Sequence, residues 1–238
     1  MTQSFLLPAA IIFDMDGVLV DSSPFHLRKW MDLLQARGIP FDEQELRMIV
    51  LGPANDVIFR RFLGDHLTPE KLSELGEELD ANFRREIGPH PPAIAGVRRF
   101  IEACHIQGIA MAVASAAIAN NVKFLISALG LQDYFREILA VDATTHPKPH
   151  PEIYLKTAEK LGVDSAACVV FEDSYVGIEA AKRAGMKCVA IASTFSAEDL
   201  RRETRADLIL PNFEAVSLQT LHDLFNGAGT PPGMRVPS

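Results

Sequence analysis

Asp14 and Asp16 close an otherwise apolar stretch, Ile11-Ile12-Phe13-Asp14-Met15-Asp16-Gly17-Val18. With Ala9 and Ala10 ahead of it, the run reads as a strand buried on both faces, of the kind found in parallel sheets. A central strand does not normally finish on two carboxylates, because unpaired buried charge is costly. At the carboxyl end of a parallel strand, however, such groups point into the crevice where α/β folds place their ligands. Other apolar runs end in the same way. Residues 109–114 lead to Ser115, and residues 168–171 lead to Glu172-Asp173. Lys148 lies in a loop, His146-Pro147-Lys148-Pro149-His150-Pro151. In a parallel sheet all of these converge. Four carboxylates would then repel strongly without a cation, and an oxygen-rich donor set suits Mg²⁺. The Lys148 ammonium and the Ser115 hydroxyl supply what an added anion needs. The combination suits phosphoryl transfer, which needs charge neutralised and a nucleophile in line. One carboxylate can attack phosphorus, and a second, two residues on, can protonate the leaving oxygen.

The elements that must position these residues fall into two styles. Residues 25–37, 42–49, 55–63 and 69–87 have helical apolar spacing, with Thr68-Pro69 as a cap and first-turn proline. Gly88-Pro89-His90-Pro91-Pro92 follows as a stiff linker. Beyond it, helices and strands alternate: strands at 109–115, 138–141, 168–173, 188–192 and 208–210, helices at 97–107, 119–129, 151–161, 176–184 and 218–225. Repeated βα units predict an α/β chain, a Rossmann-like doubly wound parallel sheet with right-handed crossovers. The expected core is 1–22 with 93–225, the inserted all-helical domain is 23–92, and the Gly/Pro-rich 226–238 reads as a disordered tail.

Composition narrows the partners. The 238 residues are 48% apolar, enough for one sizeable core and a smaller second domain. No apolar run reaches the roughly 18–20 residues of a membrane span, and the N-terminus lacks a signal peptide's basic region. A net charge of −8 without a basic stripe argues against nucleic acid and anionic membranes. Cys104, Cys168 and Cys188 are widely spaced with no C-x-x-C, and Cys168 and Cys188 sit in strand-like apolar runs, which predicts buried thiols rather than ligands or disulfides and a reducing, cytoplasmic setting. A small phosphorylated metabolite is the expected partner, and a monomer or weak dimer the expected state.

Phe13-Asp14-Met15-Asp16-Gly17-Val18, Ser115, Lys148-Pro149 and Glu172-Asp173-Ser174 with Gly177 resemble, in order, the four motifs of the haloacid dehalogenase superfamily. Within it, the chain looks like the β-phosphoglucomutase-like and sugar-phosphatase-like group with a small helical cap. The resemblance implies Asp14 as nucleophile and Asp16 as general acid/base. It implies Mg²⁺ held by Asp14, the Asp16 carbonyl, Asp173 and Glu172, with Ser115 and Lys148 binding the transferring phosphoryl group. It also implies a cap that closes over the crevice and excludes water. The implied activity is Mg²⁺-dependent hydrolysis of a small phosphomonoester, a sugar phosphate or similar metabolite, through an aspartyl-phosphate.

Departures from the family pattern narrow this further. Asp16 argues against dehalogenase and phosphonoacetaldehyde hydrolase chemistry, which do without an acid there. The mutases keep an Arg in the cap loop and polar residues after the serine. Here the loop is Leu51-Gly52-Pro53-Ala54-Asn55-Asp56 and Ser115 is followed by Ala116-Ala117-Ile118-Ala119, so a bisphosphate would be poorly held. Phosphatase is preferred over mutase, and both over a catalytically idle binding module, which would not keep every motif residue. Three cap residues are weighed for substrate contact. His26 resembles a family histidine that couples cap closure to the acid/base, or else packs within the cap. Arg84 reaches substrate or ends a solvated helix. Asn55 belongs to the cap loop. Trp30, one helical turn from His26, lines a pocket or packs. His146 and His150, without a third ligand in pattern, read as loop and helix-start residues rather than a zinc site.

Overall fold

The computed structural model describes residues 7–50 and 55–226. The chain divides into two compact units, one taking the chain up to Asp21 and from Ala93 onward, the other Ser22–Pro92.

The first unit is built on six strands: β1 Ala10–Phe13, β2 Ala110–Ala114, β3 Glu137–Leu139, β4 Cys168–Glu172, β5 Lys187–Ile191 and β6 Leu208–Leu210. All pair in parallel, in the order β3-β2-β1-β4-β5-β6. The α/β expectation holds. The chain winds outward from β1 in both directions, so the strand order reverses beside it, which is where such sheets open a binding crevice. Every residue of β1 is buried. One face contributes Ala10 and Ile12, which share a cluster with Cys168, Val170, Cys188, Ala190, Ile153 and Ile178. On the other, Phe13 stacks on Phe171 with centroids 5.4 Å apart, and Phe100, Phe135 and Phe213 pack around it. Each such ring pair contributes about 0.5–1.5 kcal/mol beyond its buried area. Phe13 is level with Val113 of β2 and Phe171 of β4. The residues that follow in all three strands therefore emerge side by side.

The expected elements are present with ends moved by a residue or two. Strand β3 stops at Leu139, because the chain turns into a 3-10 helix at Val141–Ala143. A helix absent from the sequence reading, Ala197–Glu203, lies between β5 and β6. Ser196 caps it, its hydroxyl accepting from the Asp199 N–H at 3.0 Å, a cap hidden in a segment too short to show helical periodicity.

The second unit holds α1 Ser23–Ala36, α2 Glu43–Val50, α3 Asn55–Leu63 and α4 Pro69–Ile87. The Thr68 hydroxyl accepts from the Lys71 N–H at 3.3 Å, with Pro69 opening α4. Trp30, Leu33, Leu34, Leu46, Ile58, Phe59, Leu75 and Leu79 form its apolar core. Trp30 packs on Phe59 with ring centroids 4.7 Å apart, which settles it as a core residue. Residues 51–54 of the expected cap loop and the expected tail from 227 lie outside the described residues.

Candidate active site

Asp14 leaves β1 on a last ladder bond, its N–H donating to the Phe171 carbonyl at 2.9 Å. Lys148 meets it from the loop before α7, Glu152–Leu161. Its Nζ donates to Asp14 Oδ1 at 2.6 Å, to Glu172 Oε1 at 2.7 Å and to the Ala114 carbonyl at 3.3 Å. One ammonium thus ties the ends of β1, β2 and β4 together. The three side chains are only 6%, 9% and 1% exposed for Lys148, Asp14 and Glu172 respectively. Ser115, also buried, continues β2, donating its N–H to the Leu139 carbonyl at 2.9 Å. Its Oγ accepts from the Ala117 N–H at 3.0 Å.

Glu172 is fully engaged. Oε1 accepts from Lys148 and from the Tyr154 hydroxyl at 2.9 Å. Oε2 accepts from the N–H groups of Asp173 and Ser174 at 2.8 and 2.9 Å, and from the Ser174 hydroxyl at 3.0 Å. Ser174 Oγ in turn caps α8, Tyr175–Arg183, accepting from the Gly177 N–H at 3.1 Å. A Cβ at Gly177 would overlap the Glu172 carboxylate, so the motif glycine is what admits that group onto the first turn of α8. The resemblance implied a metal ligand here. The observed bonds also make Glu172 the anchor of Lys148.

Asp173 accepts on Oδ2 from the Thr194 hydroxyl. Gly17, at φ +71°, lies so close that a Cβ there would overlap the Asp173 carboxylate. The Ser193 hydroxyl donates to the Gly17 carbonyl at 2.5 Å. Asp16 is half-buried in the tight loop after β1, where the Gly17 N–H donates to the Val20 carbonyl at 2.8 Å. Sequence reasoning missed Tyr154, Ser193 and Thr194. The last two follow β5, and the rule that found Ser115 and Asp173, polar residues directly after an apolar strand, would have found them. Tyr154 carries no such signal.

Burial pushes the Asp14 carboxyl up to about 7, with Lys148 opposing and Glu172 and Asp16 reinforcing the shift. Burial, then the charges of Glu172 and Asp14, hold Asp173 well above the usual carboxylate range. Burial alone would lower Lys148, but Asp14 and Glu172 outweigh it and raise the ammonium above an ordinary lysine. Glu172, against the same burial penalty, is held low by Lys148. The cluster carries more negative charge than one ammonium balances.

His26, Asn55 and Arg84 belong to the helical unit. His26 stacks on Phe83, centroids 4.5 Å apart and planes at 17°. Arg84 is half-buried on α4, and Asn55, half-buried, opens α3.

The chain matches the family model of the haloacid dehalogenase-like hydrolases over residues 11–191, and it belongs to that family. It is 32% identical to the fructose-1-phosphate phosphatase YqaB of Escherichia coli, covering 77% of this chain and 96% of that one. Hexitol phosphatase B of the same organism is 30% identical over 81% of this chain and 87% of its own. A crystal structure of a haloacid dehalogenase family IA hydrolase from Entamoeba histolytica superposes with a TM-score of 0.85 at 28% identity, covering 91% of this chain and 99% of that one. The resemblance to the superfamily and its sugar-phosphatase-like group is thereby borne out, and the chain is an enzyme of the phosphoric monoester hydrolase class.

Proposed function

We propose that the chain is a Mg²⁺-dependent phosphatase of a small phosphomonoester, a sugar phosphate or polyol phosphate, acting through a phosphorylated Asp14. The observation that carries this is the buried carboxylate excess bridged by Lys148 at the strand ends. The donor set fits Mg²⁺. Asp14 and Asp173 are each held through one oxygen, both are pushed up by burial and by like charge, and oxygen donors are what this ion takes. Asp14, Asp173, the Asp16 carbonyl and Glu172 would hold it, and it would neutralise charge on the transferring group.

Asp14 attacks phosphorus, and the bond from phosphorus to the ester oxygen breaks as Asp16 passes that oxygen a proton. Water then attacks the phosphorylated Asp14. Asp16 takes the water's proton, the acyl–phosphate bond breaks, and inorganic phosphate leaves. Lys148 orients Asp14 and, with Ser115, binds phosphoryl oxygens. Glu172 and Tyr154 keep Lys148 in place. Relatives named for fructose 1-phosphate and hexitol phosphates support the sugar or polyol class. Three buried free thiols support a reducing, cytoplasmic setting.

The test is phosphate release from a panel of sugar, polyol, nucleotide and small-acid monophosphates, with Mg²⁺ and with EDTA. Mg²⁺-dependent release concentrated on sugar or polyol phosphates is expected. Interconversion of isomers without release would overturn the reading in favour of a mutase.

A further inference from the structure

His146 and His150 flank Lys148, and the sequence alone offers them no third partner. The structure does. Donor atoms of His146, His150 and Glu152 all lie within 4.8 Å of one another. The two rings lie against each other, centroids 4.5 Å apart. His146 Nδ1 is 2.9 Å from Glu152 Oε2, and His150 Nδ1 accepts from the Glu152 N–H at 3.3 Å. The carboxylate is fixed in advance. Its oxygens accept from Lys156 Nζ at 2.6 Å and from the N–H groups of Thr145 and His146 at 3.1 and 2.8 Å. A held anion thus adjoins two exposed imidazoles.

We propose that His146, His150 and Glu152 form a surface site for a borderline transition-metal dication, Zn²⁺ being the representative ion, distinct from the carboxylate crevice. A tetrahedral Zn²⁺ with bonds of about 2.0–2.1 Å spaces its ligand atoms roughly 3.3 Å apart. The His146–Glu152 pair is already near that spacing. The ion takes the place of the proton between His146 Nδ1 and Glu152 Oε2, the neutral ring then carrying its proton on Nε2, and a nitrogen of His150 is the third ligand after a small rotation of its exposed ring. Water completes the shell. Imidazole nitrogen sets this site apart from the crevice, whose donors are all oxygen and suit Mg²⁺. Binding ties both ends of the Lys148 loop to the start of α7.

The full chain is titrated with Zn²⁺ by calorimetry under saturating Mg²⁺, beside the His146→Gln/His150→Gln variant and the Asp173→Asn variant. Circular dichroism checks that each is folded. The proposal expects one Zn²⁺ bound by the parent and by Asp173→Asn, and binding at least about tenfold weaker in the double histidine variant. Cu²⁺ at the same site should show nitrogen hyperfine splitting in its electron paramagnetic resonance spectrum, lost in the histidine variant. No Zn²⁺ uptake, uptake untouched by the histidine changes, or uptake abolished by Asp173→Asn would each overturn it.

Discussion

Two buried ion clusters stand out among the described residues, and they differ in their surroundings. In the helical unit, Lys29 Nζ lies 3.5 Å from Asp80 Oδ1, both side chains nearly inaccessible, with the ammonium 5.2 Å from the Phe83 ring centroid. That contact joins α1 to α4. In the sheet unit, Lys148 faces Asp14 and Glu172, with Asp16 acting on Asp14 and on the neighbouring Asp173. A buried pair matched in charge can serve packing. An unbalanced one pushes its own carboxylates up and stays receptive to a cation and a phosphate ester. Excess buried charge therefore marks the chemistry, and buried charge alone does not.

The sharpest way to break this comparison is Asp14→Asn. Turnover should fall by at least about 10⁴-fold, since an amide cannot attack phosphorus. The metal-free variant should nonetheless melt higher than the parent at pH 8, because one repelling charge is gone. A drop in melting temperature there would contradict the proposed excess.

Lys148→Met should cut kcat by about 10²–10³-fold and lower stability as well, since Asp14 and Glu172 lose their shared cation. Steady-state kinetics and thermal melts read both effects.

Asp80→Asn probes the helical-unit cluster. It should cost about 3 kcal/mol by removing the carboxylate charge beside Lys29, while Lys29→Met/Asp80→Leu should recover most of that. A double variant no more stable than Asp80→Asn would show the pair to be more than packing.

The pH dependence of metal-free stability separates the clusters further. Asp14 is raised from 3.8 to about 7, so between those values the folded state binds more protons than the unfolded chain. Stability should then fall as pH rises from about 4 to 7. Mg²⁺ should restore more stability at pH 8 than at pH 5, as melts across pH with and without the ion would show.

Tyr154→Phe is the smallest change. It removes one bond to Glu172 Oε1, worth about 1 kcal/mol. It should lower kcat a few-fold with KM little altered, whereas an unchanged kcat would remove Tyr154 from the group that holds Lys148.

The strand-end residues were legible in the sequence because period and chemistry coincide there. An apolar run that stops on Asp14, Ser115 or Asp173 announces both a buried strand and a polar crevice. The helix ends were legible for a similar reason, Thr68-Pro69 being a cap that needs no partner from elsewhere. What escaped was decided by neighbours distant in the chain. Tyr154 reaches Glu172 across 18 residues, and Thr194 reaches Asp173 across 21. The five donors around Glu172 come from Lys148, from Tyr154 on α7 and from the turn into α8. His146 and His150 lacked a third donor until the first turn of α7 brought Glu152 round to them. Sequence specified which groups the site contains, because spacing along a strand or helix is a local property. Only the tertiary structure decided which oxygens are already taken, because hydrogen-bond saturation depends on every element packed around them.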